Sequence, residues 1–131
     1  LAKKNGWNMQ GHVFDMFSPP DDTFRIKDSI VLTFSALEQL GMDYGLFLDY
    51  LVRAKPARVV NVEHIQELFY ADNPLDDLAL KFIKERNYLR GYLATLQDLE
   101  NNGVIEIQHV RRIPFGSLYM EGYSYIIWKP V

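Results

Sequence analysis

The spacing of apolar residues predicts a series of helices through the middle of the chain. The first is short, with Ser35 and Glu38 at the spacing of a capping box. Asp43 is expected to cap the second helix and Asn61 the third, because both residue types favour the position before a helix. Between these two helices, the β-branched run at 58–60 predicts a short strand.

The clearest helix start lies at Asn73–Pro74. Asparagine is a favoured cap, proline suits the first turn, and two aspartates follow at the positive end of the helix dipole. The apolar stripe of this helix continues almost unbroken to Leu96. We expect a break near Lys84–Asn87, because a continuous helix would place Arg86 on the apolar stripe.

Residues 86–113 combine an amphipathic helix, a glycine stop and a strand. Leucines at three- and four-residue spacing mark the helix, and Gly103 is expected at positive φ just beyond its end. Strands are predicted over 104–113 and 118–128, joined by a turn at Pro114–Ser117. The residues expected to be buried together are Ile65, Leu68, Tyr92, Leu93, Leu96, Leu99 and Ile105.

This helix, stop and strand resemble the recognition helix and first wing strand of a winged helix-turn-helix domain. The resemblance covers about residues 43–128 and points to a superfamily rather than to one protein. It implies an α+β, mostly α fold, with a winged helix domain over 33–131 and an N-terminal extension over 1–32 that packs on it. The C-terminal β-hairpin would be the wing. The residues that carry the resemblance are Leu96, Leu99, Gly103, Val104 and Ile105.

The resemblance implies sequence-directed binding to duplex DNA, as a transcription regulator or a replication or partition initiator. The first turns of the recognition helix would enter the major groove, where arginine and asparagine read bases and tyrosine contacts phosphate. The wing tip would reach the minor groove or the phosphates. The residues expected to contact DNA are Lys84, Arg86, Asn87, Tyr88, Arg90, Arg111, Arg112 and Ser117.

The distribution of charge leaves a second interpretation open. The net charge is −3, but residues 81–131 hold seven basic and five acidic side chains, so the acidic excess lies in residues 1–80. DNA affinity depends on local positive potential, so an acidic total permits it. The acidic bulk also favours the alternative of a winged helix that serves as a protein–protein interaction module in a larger assembly. A homodimer through the apolar residues 30–54 is a further open arrangement.

The sequence gives no positive evidence for an enzyme. There are no cysteines, which excludes disulfides, thiol nucleophiles and cysteine-bound zinc. His12, His64 and His109 lack the spacing of a helical metal pair, and neither a phosphate-binding glycine loop nor a serine nucleophile elbow occurs. We therefore expect no catalytic residue, no metal and no cofactor.

The hydropathy of the chain bears on where the protein acts. No apolar run approaches the roughly 20 residues that span a bilayer, so we expect no membrane partner. The absence of cysteine fits an intracellular protein, in the cytoplasm, nucleoid or nucleus. Because residue 1 is leucine rather than methionine, we expect the sequence to be a fragment of a longer polypeptide.

Overall fold

The computed structural model describes residues 3–21, 26–113 and 122–131. Short 3₁₀ helices occupy Lys3–Asn5, Leu37–Leu40 and Gln66–Leu68. The α-helices of the described residues are α1 (Gly45–Ala54), α2 (Pro74–Glu85) and α3 (Tyr92–Asn101), and the strands are β1 (Ile30–Phe34), β2 (Arg58–Glu63), β3 (Ile105–Arg112) and β4 (Ser124–Pro130).

The fold class is α+β, as expected, but the expectation of a mostly helical chain is wrong. Helix accounts for 35% and strand for 22% of the described residues. The difference arises because the third predicted helix is absent from the described residues, where Asn61 lies inside β2 and only the 3₁₀ turn Gln66–Leu68 follows. None of the helices within the described ranges combines the length and the apolar character that a membrane crossing requires.

The strands form one mixed sheet in the order β1-β2-β4-β3. β1 and β2 are parallel, whereas β4 is antiparallel to both of its neighbours. Parallel strands need a crossover connection, and here α1 supplies it between β1 and β2. β1 begins at Ile30, so it crosses the boundary expected between residues 32 and 33.

The main hydrophobic core lies between one face of this sheet and the helices α1 and α3. Trp128 of β4 and Val59 of β2 are fully buried beneath Leu51 of α1 and Leu96 of α3. The predicted buried set is confirmed, with Leu68 and Leu99 partly buried against the cluster and the other members buried. Those members are Ile65, Tyr92, Leu93, Leu96 and Ile105.

The opposite face of the sheet is apolar and open. On β1, Ile30, Leu32 and Phe34 are 68%, 63% and 60% exposed. The strand register places Leu32 beside Val60, and Val60 beside Ile127 on β4. We call these five residues the outer face.

Helix α2 belongs to a second, smaller cluster. Its buried residues Ala79 and Ile83 pack with Phe69, and Tyr88 lies against them. The helix starts as predicted, because the side chain of Asn73 accepts hydrogen bonds from the backbone N–H groups of the first turn. α2 is thus held beside the main core rather than in it.

The predicted break between α2 and α3 is confirmed, and the connection spans residues 86–91. Gly103 is also confirmed at positive φ, 70°, after the end of α3. Its N–H donates to the carbonyl of Glu100, and that of Val104 to the carbonyl of Leu99. This double closure is the Schellman arrangement that favours glycine at a helix end.

Other predicted caps differ from the structure. Asp43 does not cap α1, whose N-cap is Tyr44 without a side-chain hydrogen bond. The Ser35 hydroxyl does donate to Glu38, but only a four-residue 3₁₀ helix follows. The predicted turn at Pro114–Ser117 lies outside the described residues, and the second hairpin strand, expected from residue 118, is described from Ser124 onward.

Substitution of Leu96 tests the packing of the main core. Its side chain is fully buried, so Leu96→Ala should lower the free energy of unfolding by about 2–5 kcal/mol through lost burial and a residual cavity. Urea unfolding monitored by circular dichroism measures the change. Gln97→Ala, one position along on the exposed side of α3, is the control and should stay within about 0.5 kcal/mol. Equal losses in the two variants would contradict the packing.

Candidate functional site

Polar side chains gather where the two parallel strands end. Ser35 directly follows β1, while Glu63 closes β2 and His64 comes next. Neighbouring parallel strands present their carboxyl ends at the same edge of the sheet, which is where open α/β sheets hold their ligands. Glu38 joins the group from the 3₁₀ turn that follows β1.

Glu38 and His64 form a buried pair across this edge. Nδ1 of His64 lies 2.7 Å from Oε2 of Glu38, and the two residues are only 7% and 6% exposed. The other carboxylate oxygen accepts a 2.7 Å hydrogen bond from the Ser35 hydroxyl. Burial opposes ionisation of Glu38, but the hydrogen bonds from His64 and Ser35 outweigh it and lower the pKa of this carboxyl.

The pair leaves the second nitrogen of His64 available. With Nδ1 directed at Glu38, Nε2 has no hydrogen bond to any residue in the described ranges. The Tyr123 ring lies 4.4 Å from the imidazole and 4.9 Å from Phe34, between centroids. The Tyr123 hydroxyl also donates to Ser35. An imidazole oriented by a carboxylate therefore lies against an aromatic side chain.

Glu63 holds the turn that carries Glu38. It is fully buried, and its carboxylate lies 3.3 Å from the backbone N–H nitrogen of Ala36 and 3.4 Å from that of Glu38. Burial raises the pKa of Glu63, although these backbone hydrogen bonds offset part of the effect. The Glu63 carboxylate, at the end of β2, thus fixes the position of Glu38 in the turn that follows β1.

Beneath the pair, Asn61 joins the sheet to α3. Its side-chain carbonyl accepts from the Tyr92 hydroxyl at 3.0 Å and from the Trp128 indole N–H at 2.8 Å. Its amide group donates to the Thr33 hydroxyl at 2.9 Å. Every one of these groups is buried, so the floor of the site is a closed hydrogen-bond network.

The connection 86–91 reaches the same edge of the sheet. The backbone N–H of Leu89 donates to the carbonyl of Glu38, and that of Arg90 to the carbonyl of Gly41. The carboxylate of Glu67, after β2, accepts a 2.9 Å hydrogen bond from the Leu93 N–H in the first turn of α3. The segments after β1, after β2 and before α3 therefore meet around the Glu38–His64 pair.

The structure places the predicted DNA-contacting residues differently from the expectation. Lys84 lies in the last turn of α2, and Arg86, Asn87, Tyr88 and Arg90 lie in the connection 86–91. Their expected position in the first turns of α3 is wrong, because Asn87 adopts a left-handed conformation, φ 52°, and the helix begins only at residue 92. Their contact with DNA stays a prediction.

Helix α3 itself carries no basic residue. Its exposed positions include Gln97, Asp98 and Glu100, so the surface expected in a major groove is neutral to acidic. The Glu67 carboxylate already occupies the N–H group of Leu93 at the positive end of the helix. Neither feature favours a polyanion at this helix.

The two wing arginines have different environments. Arg111 is exposed on β3. Arg112 binds the fully buried Asp76 through both terminal nitrogens and lies over the Phe69 ring at 4.5 Å. This hydrogen bonding lowers the pKa of Asp76. Because its guanidinium anchors β3 to α2, Arg112 is less available than Arg111 for the expected contact with the DNA backbone or minor groove, and that contact stays a prediction. Ser117 lies outside the described residues.

The sequence alone does not reveal this edge. Its spacing predicts only a capping box for Ser35 and Glu38, and leaves His64 as an isolated histidine. The signal that could identify them is the pair of short runs rich in β-branched residues at 30–34 and 58–62, each followed by polar residues, which is typical of strands in a sheet.

Within the described ranges, no three histidine, aspartate or glutamate side chains are grouped so as to hold a metal ion. Models of protein families, curated proteins and solved structures gave no match to this chain.

The Glu38–His64 pair predicts a defined pH dependence of stability. The folded state lowers the pKa of Glu38 below its ordinary value of 4.5, so the ionised carboxylate stabilises the fold at pH values above 4.5. This contribution is lost as the pH falls through the pKa of Glu38 in the folded state. Glu38→Gln should therefore be less stable than the wild type at pH 6, with the difference shrinking below pH 4 (roughly). Urea unfolding across this range measures it, and a constant difference would contradict the pair.

Proposed function

We propose that the mixed sheet of this chain binds a small molecule at the carboxyl ends of β1 and β2, where His64 acts as a general base. The observation that carries the proposal is the buried Glu38–His64 pair between the two strand ends. A ligand at this edge would meet Nε2 of His64 and the ring of Tyr123.

The topology alone agrees with two folds. The order α1-β2-α2-α3-β3-β4, with β2, β4 and β3 adjacent in the sheet, is also that of a winged helix domain. β1 lies outside that pattern, because it adds in parallel to β2 through α1. The parallel pairing of β1 with β2 therefore favours a ligand-binding sheet edge over a winged helix.

Helix packing supports the same choice. A helix-turn-helix unit requires two helices that share one core. Here Leu93 and Leu96 of α3 belong to the main core, whereas Ala79 and Ile83 of α2 belong to the second cluster. The connection 86–91 joins two helices with separate partners, so we infer that it is not a helix-turn-helix turn.

The geometry defines the chemistry that the site can perform. When Nδ1 of His64 donates to Glu38, Nε2 carries the lone pair and can accept a proton from a bound hydroxyl or amine. The imidazolium that forms is stabilised by the Glu38 carboxylate. The Ser35 hydroxyl donates to Glu38 and not to His64, so the arrangement supports proton abstraction rather than a serine nucleophile.

A fragment screen tests this function. Protein-observed NMR with hydroxylated aromatic compounds and nucleosides should yield binders for the wild type, with shifts at Ser35, Glu38 and Tyr123. His64→Gln should weaken their binding by up to about tenfold, since the hydrogen bond from the ligand hydroxyl to Nε2 is removed. His109→Gln changes an exposed histidine on β3 and is the control. Equal binding by both variants, or shifts confined to other surfaces, would refute the proposal.

Duplex DNA binding is the second candidate function, and exposed cations favour it. Lys84 and Arg86 lie at the end of α2 and just beyond it, and Arg111 is exposed on β3. Against these stand the acidic α3 surface and the sequestered Arg112. A phosphate-contacting surface would therefore include the end of α2 rather than α3.

Salt dependence separates this candidate from the first. Fluorescence anisotropy with random duplex DNA should show no binding at micromolar protein and 50 mM salt (roughly), because α3 carries no basic residue and Arg112 is bound to Asp76. Binding that weakens steeply with salt and is lost in Lys84→Ala, Arg86→Ala and Arg111→Ala would favour DNA. Lys129→Ala, whose ammonium pairs with Glu106, serves as the control.

A further inference from the structure

A basic cleft opens between α2 and the connection to α3. It has a volume of about 280 Å³ and is lined by Gln66, Leu80, Lys81, Lys84 and Arg90. Ligand pockets for whole small molecules usually measure roughly 300–1,000 Å³, so this cleft suits one functional group and its attachment rather than a complete substrate.

Three cations meet in this cleft, and they differ in how far they are neutralised. Lys81 pairs with Asp77 one helical turn earlier, at 2.7 Å. Lys84 is exposed in the last turn of α2 and forms no ion pair with any residue in the described ranges. The guanidinium of Arg90 donates to the neutral side chain of Asn87 and to no carboxylate in those ranges. The local charge is therefore positive.

Arg90 supplies a donor without a partner. Its Nε is buried and has no hydrogen-bond partner among the described residues, although a buried unsatisfied donor costs about 1–3 kcal/mol. One terminal nitrogen lies 2.6 Å from Oδ1 of Asn87, which holds the side chain in place. The backbone N–H of Arg90 is bound to the carbonyl of Gly41. The guanidinium is thus fixed in position and not fully used by the protein.

The cleft lies beside the edge that holds the Glu38–His64 pair. Gln66 is two residues after His64, and Arg90 is hydrogen-bonded to the turn that follows Glu38. A ligand that places a reactive hydroxyl at His64 would therefore extend toward the cleft with its other end. Arginine and lysine together recognise phosphate, arginine through its planar fork and lysine as a point charge.

We propose that Lys84 and Arg90 bind a phosphate monoester group, so that the small molecule taken at the strand ends is a phosphorylated one. This inference rests on the function proposed above and names the class of its ligand. Lys81 and Gln66 complete the cleft, the first as a partly neutralised cation and the second as a hydrogen-bond donor.

Inorganic phosphate is the probe that tests the cleft alone. NMR titration of the wild type with phosphate should shift the amide signals of Lys84 and Arg90. Lys84→Ala and Arg90→Gln should each weaken binding by about tenfold, since each removes a charge-assisted hydrogen bond. Arg53→Ala, an exposed arginine on α1, is the control and should bind as the wild type does. If these residues show no shift, or if the control variant weakens phosphate binding equally, the proposed phosphate site is wrong.

Two further probes identify the source of the phosphate. A nucleoside monophosphate should bind more tightly than inorganic phosphate and lose this advantage in His64→Gln, whereas random duplex DNA should not compete. Competition by DNA would assign the cations to a nucleic-acid backbone and overturn the small-molecule ligand. If phosphate binds the cleft but His64→Gln leaves nucleoside monophosphate binding unchanged, the anion site stands and the general-base function fails.

Discussion

The rest of this structure depends on the hydrogen bonds of the Asn61 side-chain amide. It is fully buried in the middle of β2, and its three hydrogen bonds reach β1, α3 and β4. A buried amide is costly unless it is satisfied, so these partners fix the spacing of the strands and the position of α3 together. The buried Tyr92 hydroxyl, with its pKa strongly raised, remains a neutral donor in this network. The turns that carry Glu38 and His64 are built on this network.

The parts of the fold that sequence predicts well are those that local chemistry decides. Asn73 caps α2 through its own first turn, and Gly103 ends α3 because only its own backbone must adopt positive φ. Asn61 was mistaken for a helix cap because its partners lie 28 to 67 residues away in the chain. The Glu38–His64 pair was hidden for the same reason, since 26 residues separate its members. Strand order and parallel pairing are likewise non-local, so periodicity alone left β1 unrecognised.

The positions of the charged side chains in the fold, rather than the net charge, determine where an anion can bind. Arg112, which local sequence places beside Arg111 as one of two equivalent cations, is removed from the surface by Asp76 and by the Phe69 ring. Lys84 and Arg90, separated by six positions in the sequence, line one cleft. A count of basic residues in a segment therefore says little about its affinity for anions until ion pairs are known. The two proposed functions differ chiefly in which cations remain to meet a ligand.

The outer face has a thermodynamic consequence for the whole molecule. Fully burying an aliphatic or aromatic side chain contributes about 1.5–3 kcal/mol, and Ile30, Leu32 and Phe34 are still about two-thirds exposed, so covering them would release roughly 3–6 kcal/mol. Domains have net stabilities of about 5–15 kcal/mol. A surface laid over β1 would thus add an amount comparable to the margin by which such a fold persists. Unfolding measured with this face in water therefore reports the stability of the sheet without that contribution.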